Sequence, residues 1–449
     1  MIYVRDIIDI CNGELFCGNK DLECVHFCTD TRKIKSGDIY VGIKGDTFNG
    51  NNFYMDAIYK GASICILDND TEIDGSYKNN DVTIILVDDT INCLQKIANY
   101  KRNLYDIPVV AVTGSVGKTS VKDIIYSVLS SKYNVLCTKG NLNNHIGVPL
   151  TILELNNNHE VLIVEMGMNH FGELRTLSNI ANPTIGVITN IGTAHIGNLG
   201  SRENILKAKL EVLDGMNNGY LIINNDNDML RTVKYDNLIT IGIDNNSDYM
   251  AHEIKEHVFS SEFYINQDYV EMPVGSRAFI YNALFAFAVG IKLGLSGEEI
   301  SNALREFKLT PHRLELIKTS KVNIIDDTYN ASLDSVKNSL ELLSKVDNRR
   351  VFIFGDILEL NEYGESIHRE IGNIVVDNNI DVFIAVGNLS KYSYDVVNTV
   401  NNKCYYFENN EVLLENIDRI LDDRDMVLIK GSNGMKLVDV VDYLKKKYK

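Results

Sequence analysis

No apolar run in this 449-residue chain approaches the ~18 residues that a membrane-spanning helix requires. Its first residues, Met1-Ile2-Tyr3-Val4-Arg5-Asp6, also lack the basic-then-apolar layout of a signal peptide. The two absences set the expectation of a cytoplasmic protein with no membrane span. Proline (5) and glycine (31) are too scarce for a fibrous or disordered chain, and no low-complexity tract or short repeat is present. Positive charge is in deficit as well: 44 Lys plus Arg face 61 Asp plus Glu, a formal charge of -17. That balance disfavours the sequence-independent phosphate attraction on which nucleic-acid binding relies, so nucleic acid is not an expected partner. An anionic small molecule is still compatible with a locally positive pocket.

The eight cysteines (11, 17, 24, 28, 65, 93, 137 and 404) lie mostly in the first third, at odds with a disulfide framework for so large a chain. Reduced core thiols are expected. Cys24-Val25-His26-Phe27-Cys28 has no second cysteine pair nearby to complete a zinc site, and its alternation reads as a strand.

What is present is the composition of a soluble globular protein, 45% hydrophobic and 23% charged. At about one domain per ~150 residues the length suggests two to four domains, and three are expected. The first hundred residues read as a small α/β domain, with strands at Val25 to Cys28, Ile39 to Ile43, Ile64 to Leu67 and Ile84 to Val87 and helices around 52–60 and 89–104. Pro108 follows where a linker would fall. From about residue 105, β-branched runs alternate with helical stretches, the signature of a parallel α/β sheet. Ile107 to Thr113 is one such strand, leading through a glycine-rich turn into a helix to about Ser131. Val161 to Glu165 and Ile185 to Thr189 are nearly all apolar, as strands buried on both faces are. A helix is expected between Gly200 and Met216, with Ser201 as N-cap. The pattern restarts after Pro311, with strands at Val322 to Asp326, Val351 to Gly355, Val382 to Val386 and Met426 to Lys430. The fold class is therefore α/β in three domains, with expected boundaries 1–105, 106–312 and 313–449.

Chemistry concentrates in Gly114-Ser115-Val116-Gly117-Lys118-Thr119-Ser120, which follows an apolar strand and opens a helix, the context that makes a phosphate loop. Glycines let backbone N–H groups face phosphate oxygens, the helix N-terminus adds partial positive charge, Lys118 reaches the terminal phosphates, and the Thr119 hydroxyl can ligate magnesium. The segment departs from the general pattern at Val112, where a glycine usually stands. Glu165, ending another strand of the same sheet, would emerge at the carboxyl edge where open α/β sheets bind ligands, a natural magnesium position. His195 follows the next strand toward that edge. Singly, His195 reads as a loop histidine, and Lys209, in the following helix, as a solvated face. Asp326 and Asp327 end the first C-terminal strand, and Arg313 lies beside the expected hinge. Asp30-Thr31-Arg32-Lys33 and Lys44-Gly45-Asp46-Thr47-Phe48 are early loops that could grip a nucleotide-like ligand or be ordinary turns.

In combination these segments resemble the Mur ligase family of peptidoglycan synthesis over nearly the whole chain. The resemblance rests on an ordered set: Thr113-Gly-Ser-Val-Gly-Lys-Thr-Ser120, Gly140-Asn-Leu-Asn-Asn-His-Ile-Gly-Val-Pro149, Glu165-Met-Gly167, Thr189-Asn-Ile-Gly-Thr-Ala-His195, Lys209, Asp326-Asp-Thr-Tyr-Asn-Ala331, Gly355-Asp-Ile-Leu-Glu-Leu360 and Lys430-Gly-Ser432. It implies a UDP-substrate-binding N-terminal domain, a central ATPase and a Rossmann-like C-terminal domain. It further implies an ATP-dependent amide ligase that joins D-alanyl-D-alanine to UDP-N-acetylmuramoyl-tripeptide through an acyl phosphate; a monomer is a separate expectation.

Carried over residue by residue, the resemblance places Thr119 and Glu165 on one magnesium ion. His195 and Lys209 would serve a second, the lysine as a carbamate, and Lys118 the transferring phosphoryl group. Asn282 would contact adenine, Arg313 a phosphate, and Asp327 and Tyr329 the C-terminal wall of the nucleotide site. Asn330 and Ala331 would meet the dipeptide. Thr31, Arg32, Thr47 and Phe48 would hold the UDP-sugar, and Asn141, Asn143 and Asn144 its muramoyl or peptide portion. Two departures stand out: Ala278-Phe279 replaces the family's usual His-Asn, and Ser332-Leu333 replaces the segment with its usual proline. A sibling ligase or a folylpolyglutamate synthase shares the same chemistry, although the Asp-Asn-Pro-Arg segment of the third-residue ligase is missing. A non-catalytic nucleotide-binding partner is the alternative from another class.

Overall fold

The computed structural model describes residues 1–45, 47–74, 82–358, 360–401 and 403–449. Asp46 and Glu359, which fall within two of the segments quoted above, lie outside the described residues. The first sheet contains β1 (Glu14–Cys17), β2 (Phe27–Cys28), β3 (Ile39–Val41), β4 (Ile64–Asp68) and β5 (Thr83–Val87) in the order β1-β5-β4-β3-β2. Its strands are parallel apart from β1, which pairs antiparallel with β5. β2 is shorter than expected: Val25 is 68% exposed and pairing starts only at Phe27. All eight cysteines are free thiols. Burial, reinforced by Asp6 and Glu23, pushes Cys24 up to about 12.

The second sheet holds β6 (Val109–Thr113), β7 (Val135–Cys137), β8 (Val161–Glu165), β9 (Ile185–Ile188), β10 (Tyr220–Asn224), β11 (Leu238–Gly242), β12 (Tyr249–Glu256), β13 (Ser261–Ile265) and β14 (Asp268–Met272). The order is β14-β13-β12-β11-β10-β9-β6-β8-β7. β6, β7 and β8 run parallel, as expected. The expected parallel sheet is extended at its other end by β12, β13 and β14, which are antiparallel neighbours. Burial explains the difference: β8 is buried at every position, whereas β13 alternates buried and half-buried residues. One-sided burial is the antiparallel pattern, and it lacks the continuous apolar run that marks a buried parallel strand.

The third sheet contains β15 (Glu315–Lys318), β16 (Asn323–Asp327), β17 (Arg350–Gly355), β18 (Val382–Val386), β19 (Cys404–Phe407) and β20 (Met426–Lys430), ordered β15-β16-β20-β17-β18-β19. β16 to β20 are parallel and β15 is an antiparallel edge. Apolar side chains cover both faces: Phe352, Phe354 and Phe383 pack on one, Val351, Ile353 and Ile384 on the other. No helix among the described residues is long and apolar enough to cross a membrane.

The chain packs as two compact units. One comprises Met1–Thr113, Lys132–Val187 and Ala208–Leu221; the other comprises Gly114–Ser131, Ile188–Lys207 and Ile222–Lys449. In the first, the segment around Pro108 is fastened by a buried guanidinium. Arg102 donates to the carbonyls of Tyr105, Ile107 and Ala181 at 2.5, 3.1 and 2.9 Å, tying the end of helix Thr90–Asn103 to helix Glu173–Ala181. In the second, His368 is wholly buried. Its Nδ1 meets the Gly364 carbonyl at 2.7 Å and its Nε2 the Ile357 N–H at 3.1 Å, so the ring must be neutral with its proton on Nδ1.

Burial holds His368 below the ordinary histidine pKa. Lowering the pH through about 6.5 therefore protonates this imidazole in the unfolded chain before the folded one. Its contribution to stability is full above that value and declines below it. Urea unfolding measured on either side should show the decline, and His368→Gln should flatten it; an unchanged slope in the variant would reject the assignment.

Candidate active site

The phosphate loop is built by glycines where other residues would be strained. Gly114 and Gly117 have φ of 147° and 83°, and a Cβ on Gly114 would collide with the Thr189 hydroxyl. Val112 is wholly buried in β6, so the strand continues through it and the turn begins two residues later. Gly117 caps helix Lys118–Ser130 with no side-chain hydrogen bond and no acid in the first turn, which suits an anion at that terminus. The Lys118 ammonium donates to the Gly114 carbonyl at 2.9 Å.

The segment after β9 braces this loop. Thr189 donates to the Val116 carbonyl at 2.5 Å, Asn190 Oδ1 accepts from Val116 N–H at 2.8 Å, the Asn190 carbonyl accepts from Ser115 N–H at 3.0 Å, and Ser115 Oγ accepts from Gly192 N–H at 3.0 Å. Thr189 and Asn190 stand in a motif visible in the sequence, but their bracing role shows only in the fold. His195, three residues beyond Gly192, caps helix Ile196–Leu199 in a left-handed conformation and is half-buried. On helix Arg277–Lys292, Asn282 is 8% exposed, and its carboxamide oxygen lies 3.8 Å from where a Cβ on Gly117 would stand.

Within the first unit, Glu165 ends β8 and is 2% exposed. The Thr138 hydroxyl accepts from its backbone N–H at 3.0 Å, and Asn143 donates to Oε1 at 2.8 Å. Its other oxygen, Oε2, is buried with no hydrogen-bond partner among the described residues. A buried carboxylate oxygen left unbonded is costly unless a cation or donor joins it, so the residue fits a magnesium ligand. Lys209, in helix Arg202–Leu210, is 1% exposed. The expected solvated face is corrected here: a lysine this buried must be accommodated by its surroundings or carry a changed charge.

The remaining candidates of that unit have varied surroundings. Asn143 is engaged by Glu165, whereas Asn144 turns its Oδ1 to the N–H groups of Ile146 and Gly147 at 3.1 and 2.8 Å, where helix Gly147–Leu153 begins. Asn141 is exposed. Thr31 is half-buried and Arg32 exposed, the latter forked onto Asp30 at 2.8 and 2.9 Å. That contact holds the Asp30 carboxyl at about 2. Thr47 is exposed, and Phe48, 60% exposed, meets Phe53 edge-on with ring centroids 6.0 Å apart.

Adjacent acids at the end of β16 take different tasks. Asp326 pairs with His312 at 2.7 Å and accepts from Thr328, whereas Asp327 accepts from Lys430 at 2.6 Å and Ser339 at 2.7 Å. The Asp326 carboxylate thus serves His312 and its own turn. Next to His312, Arg313 stacks on the Tyr329 ring at 3.9 Å, with its Nε buried and without a hydrogen-bond partner among the described residues. Asn330 offers its carbonyl to Lys430 at 3.0 Å, and Ala331 is buried. His312 and Lys430 were missed as organisers because their partners lie far off in sequence. The missing proline has a local substitute: Ser332 caps helix Leu333–Ser344 through a reciprocal pair with Ser335, so Leu333 takes the first helical position, which proline favours.

A sheet whose phosphate loop opens a helix, together with a mostly parallel C-terminal sheet, defines a nucleotide-dependent α/β enzyme class, and the comparisons specify it. The Mur ligase middle domain matches residues 112–290, and the Mur ligase glutamate ligase domain matches residues 312–433. The chain is 35% identical over 98% of its length, and 97% of the relative's, to UDP-N-acetylmuramoyl-tripeptide--D-alanyl-D-alanine ligase from Bacillus subtilis (strain 168). It is 31% identical to the protein of the same name from Escherichia coli (strain K12), over 98% of this chain and 97% of the other. A crystal structure of MurF from Acinetobacter baumannii superposes with a TM-score of 0.90 at 27% identity, covering 99% of this chain and 98% of that one. MurF ligase from Thermotoga maritima in complex with ADP gives 0.82 at 26% identity, covering 94% and 98%. The chain belongs to the Mur ligase family.

Proposed function

We propose that the chain joins D-alanyl-D-alanine to UDP-N-acetylmuramoyl-tripeptide in an ATP-dependent amide ligation of peptidoglycan precursor synthesis. The observation that carries the reading is Glu165: a buried carboxylate with one oxygen unbonded, ending the strand beside the one that feeds the phosphate loop. The names of the full-length relatives support the choice of substrates.

In this reading the tripeptide's terminal carboxylate oxygen attacks the γ-phosphorus of ATP, forming an acyl phosphate and releasing ADP. The dipeptide amine then adds to the acyl carbon, loses a proton, and the tetrahedral intermediate expels phosphate with that same oxygen. An ionised carboxylate is a poor acyl donor until its oxygen becomes part of such a leaving group. Lys118 and the loop N–H groups offset charge on the transferring phosphoryl group. Thr119 and Glu165 would hold a magnesium ion, whose charge would screen the repulsion between the two anions.

His195 and Lys209 would serve a second magnesium ion, the lysine only as a carbamate, because an ammonium cannot ligate a cation. Intact-mass measurement at saturating bicarbonate should show the added carbon dioxide; a free amine would count against it. Asn282, Arg313, Asp327 and Tyr329 line the nucleotide site in this reading, Asn330 and Ala331 the acceptor site, and Thr31, Arg32, Thr47, Phe48, Asn141, Asn143 and Asn144 the UDP-substrate site. Domains at 1–105, 106–312 and 313–449 belong to the same proposal, supported by the three sheets falling inside those ranges. So do a cytoplasmic location and a monomeric state.

The test is phosphate release with ATP, UDP-N-acetylmuramoyl-tripeptide and a panel of acceptors. Release that requires D-alanyl-D-alanine is expected. Release with a single amino acid instead would indicate a sibling ligase, and no release with any acceptor a binding protein.

A further inference from the structure

The turn Asp327-Thr328-Tyr329-Asn330 holds, in the reading above, a nucleotide-facing end and an acceptor-facing end. Both ends are fastened by one buried amine. Lys430, at the end of β20 and 2% exposed, donates to Asp327 Oδ2 at 2.6 Å and to the Asn330 carbonyl at 3.0 Å. β16 and β20 are parallel neighbours with Asp327 opposite Lys430, so the ammonium sits at the mouth of the turn. Ser339 donates to the same Asp327 oxygen at 2.7 Å. Three residues past Lys430, Asn433 donates to the Tyr329 carbonyl at 3.2 Å.

We propose that Lys430 is a positioning residue that sets the spacing between the nucleotide and the acceptor amine. The proposal rests on the ligase reading. Lys430 touches neither the phosphoryl group nor the amine; it acts through Asp327 and through the peptide of Asn330. A charge-assisted bond fixes orientation more firmly than a neutral one, and both contacts share a donor that packing holds still. Ser339 shares only the first contact, which gives the proposal a built-in control.

The experiment measures KM for each of the three substrates, with the thermal midpoint, in K430M, the milder Lys430→Gln, and S339A. Loss of one charge-assisted bond at each end of the turn predicts a rise of about tenfold in KM for both ATP and D-alanyl-D-alanine in K430M. KM for the UDP-linked tripeptide should not change. Lys430→Gln should show a smaller rise of the same two constants, and S339A a rise for ATP alone. A loss of kcat with all three KM values unchanged, or a rise confined to one substrate in both lysine variants, would overturn the proposal. If K430M does not fold, Lys430→Gln and S339A decide on the same criteria. Wild-type turnover that needs no dipeptide would reject the parent reading, while the ATP constants would still report on Lys430.

Discussion

Lys118→Met should lower kcat/KM for ATP by a factor on the order of 10³, the scale of removing a preorganised donor from a developing negative charge. The residue stands at the first position of the phosphate-loop helix, and its amine already lies against the Gly114 carbonyl. Folding should survive, because the loop keeps its glycine turns and its braces from Thr189 and Asn190, none of which involves the lysine side chain. Circular dichroism with steady-state phosphate release separates the outcomes. A folded variant that retains a tenth or more of the wild-type kcat/KM would remove Lys118 from the chemistry.

Glu165→Gln is the second large effect. Glutamine keeps the shape and an oxygen to accept from Asn143, so the strand end should remain formed. The thermal midpoint should hold or rise, because a carboxylate with an unbonded buried oxygen is replaced by a neutral group. Activity should nevertheless fall by about 10²–10³, with the magnesium dependence of turnover moved to higher concentration. Titrating magnesium against phosphate release tests this; an unaltered magnesium curve at near wild-type rate would show that Glu165 is structural.

The parts of the fold readable from sequence were those governed by local rules. β8, β18 and β20 coincide with their expected limits because each is a short apolar run buried at every position. The phosphate loop was legible for a similar reason: glycine, lysine and threonine at fixed offsets after a strand have few other uses. β12 to β14 were missed because their one-sided burial dilutes the apolar signal with polar residues. Helix Arg202–Leu210 was expected to continue to Met216, but Glu211–Gly215 tightens into a 3-10 turn.

Site residues divide along the same line. Lys209 looks like an ordinary helical lysine until its burial is known. Lys430 sits 103 residues from Asp327 and His312 14 residues from Asp326, so neither pairing has a local signature. Asn144 shows the reverse: its family position suggests a ligand contact, yet its side-chain oxygen accepts from the N–H groups at the start of helix Gly147–Leu153. Resemblance supplied the roles of Asn282, Arg313 and Tyr329. The structure adds that Asn282 lies close to the loop, and that Arg313 and Tyr329 form a stacked pair.

Carboxylate activation is the claim on which these roles converge, and heavy oxygen in the tripeptide's terminal carboxylate tests it most directly. If the carboxylate is phosphorylated before the dipeptide amine attacks, one labelled oxygen per turnover passes to the released phosphate, as mass spectrometry of that phosphate would show. Phosphate released without label, while amide product accumulates, would contradict the account.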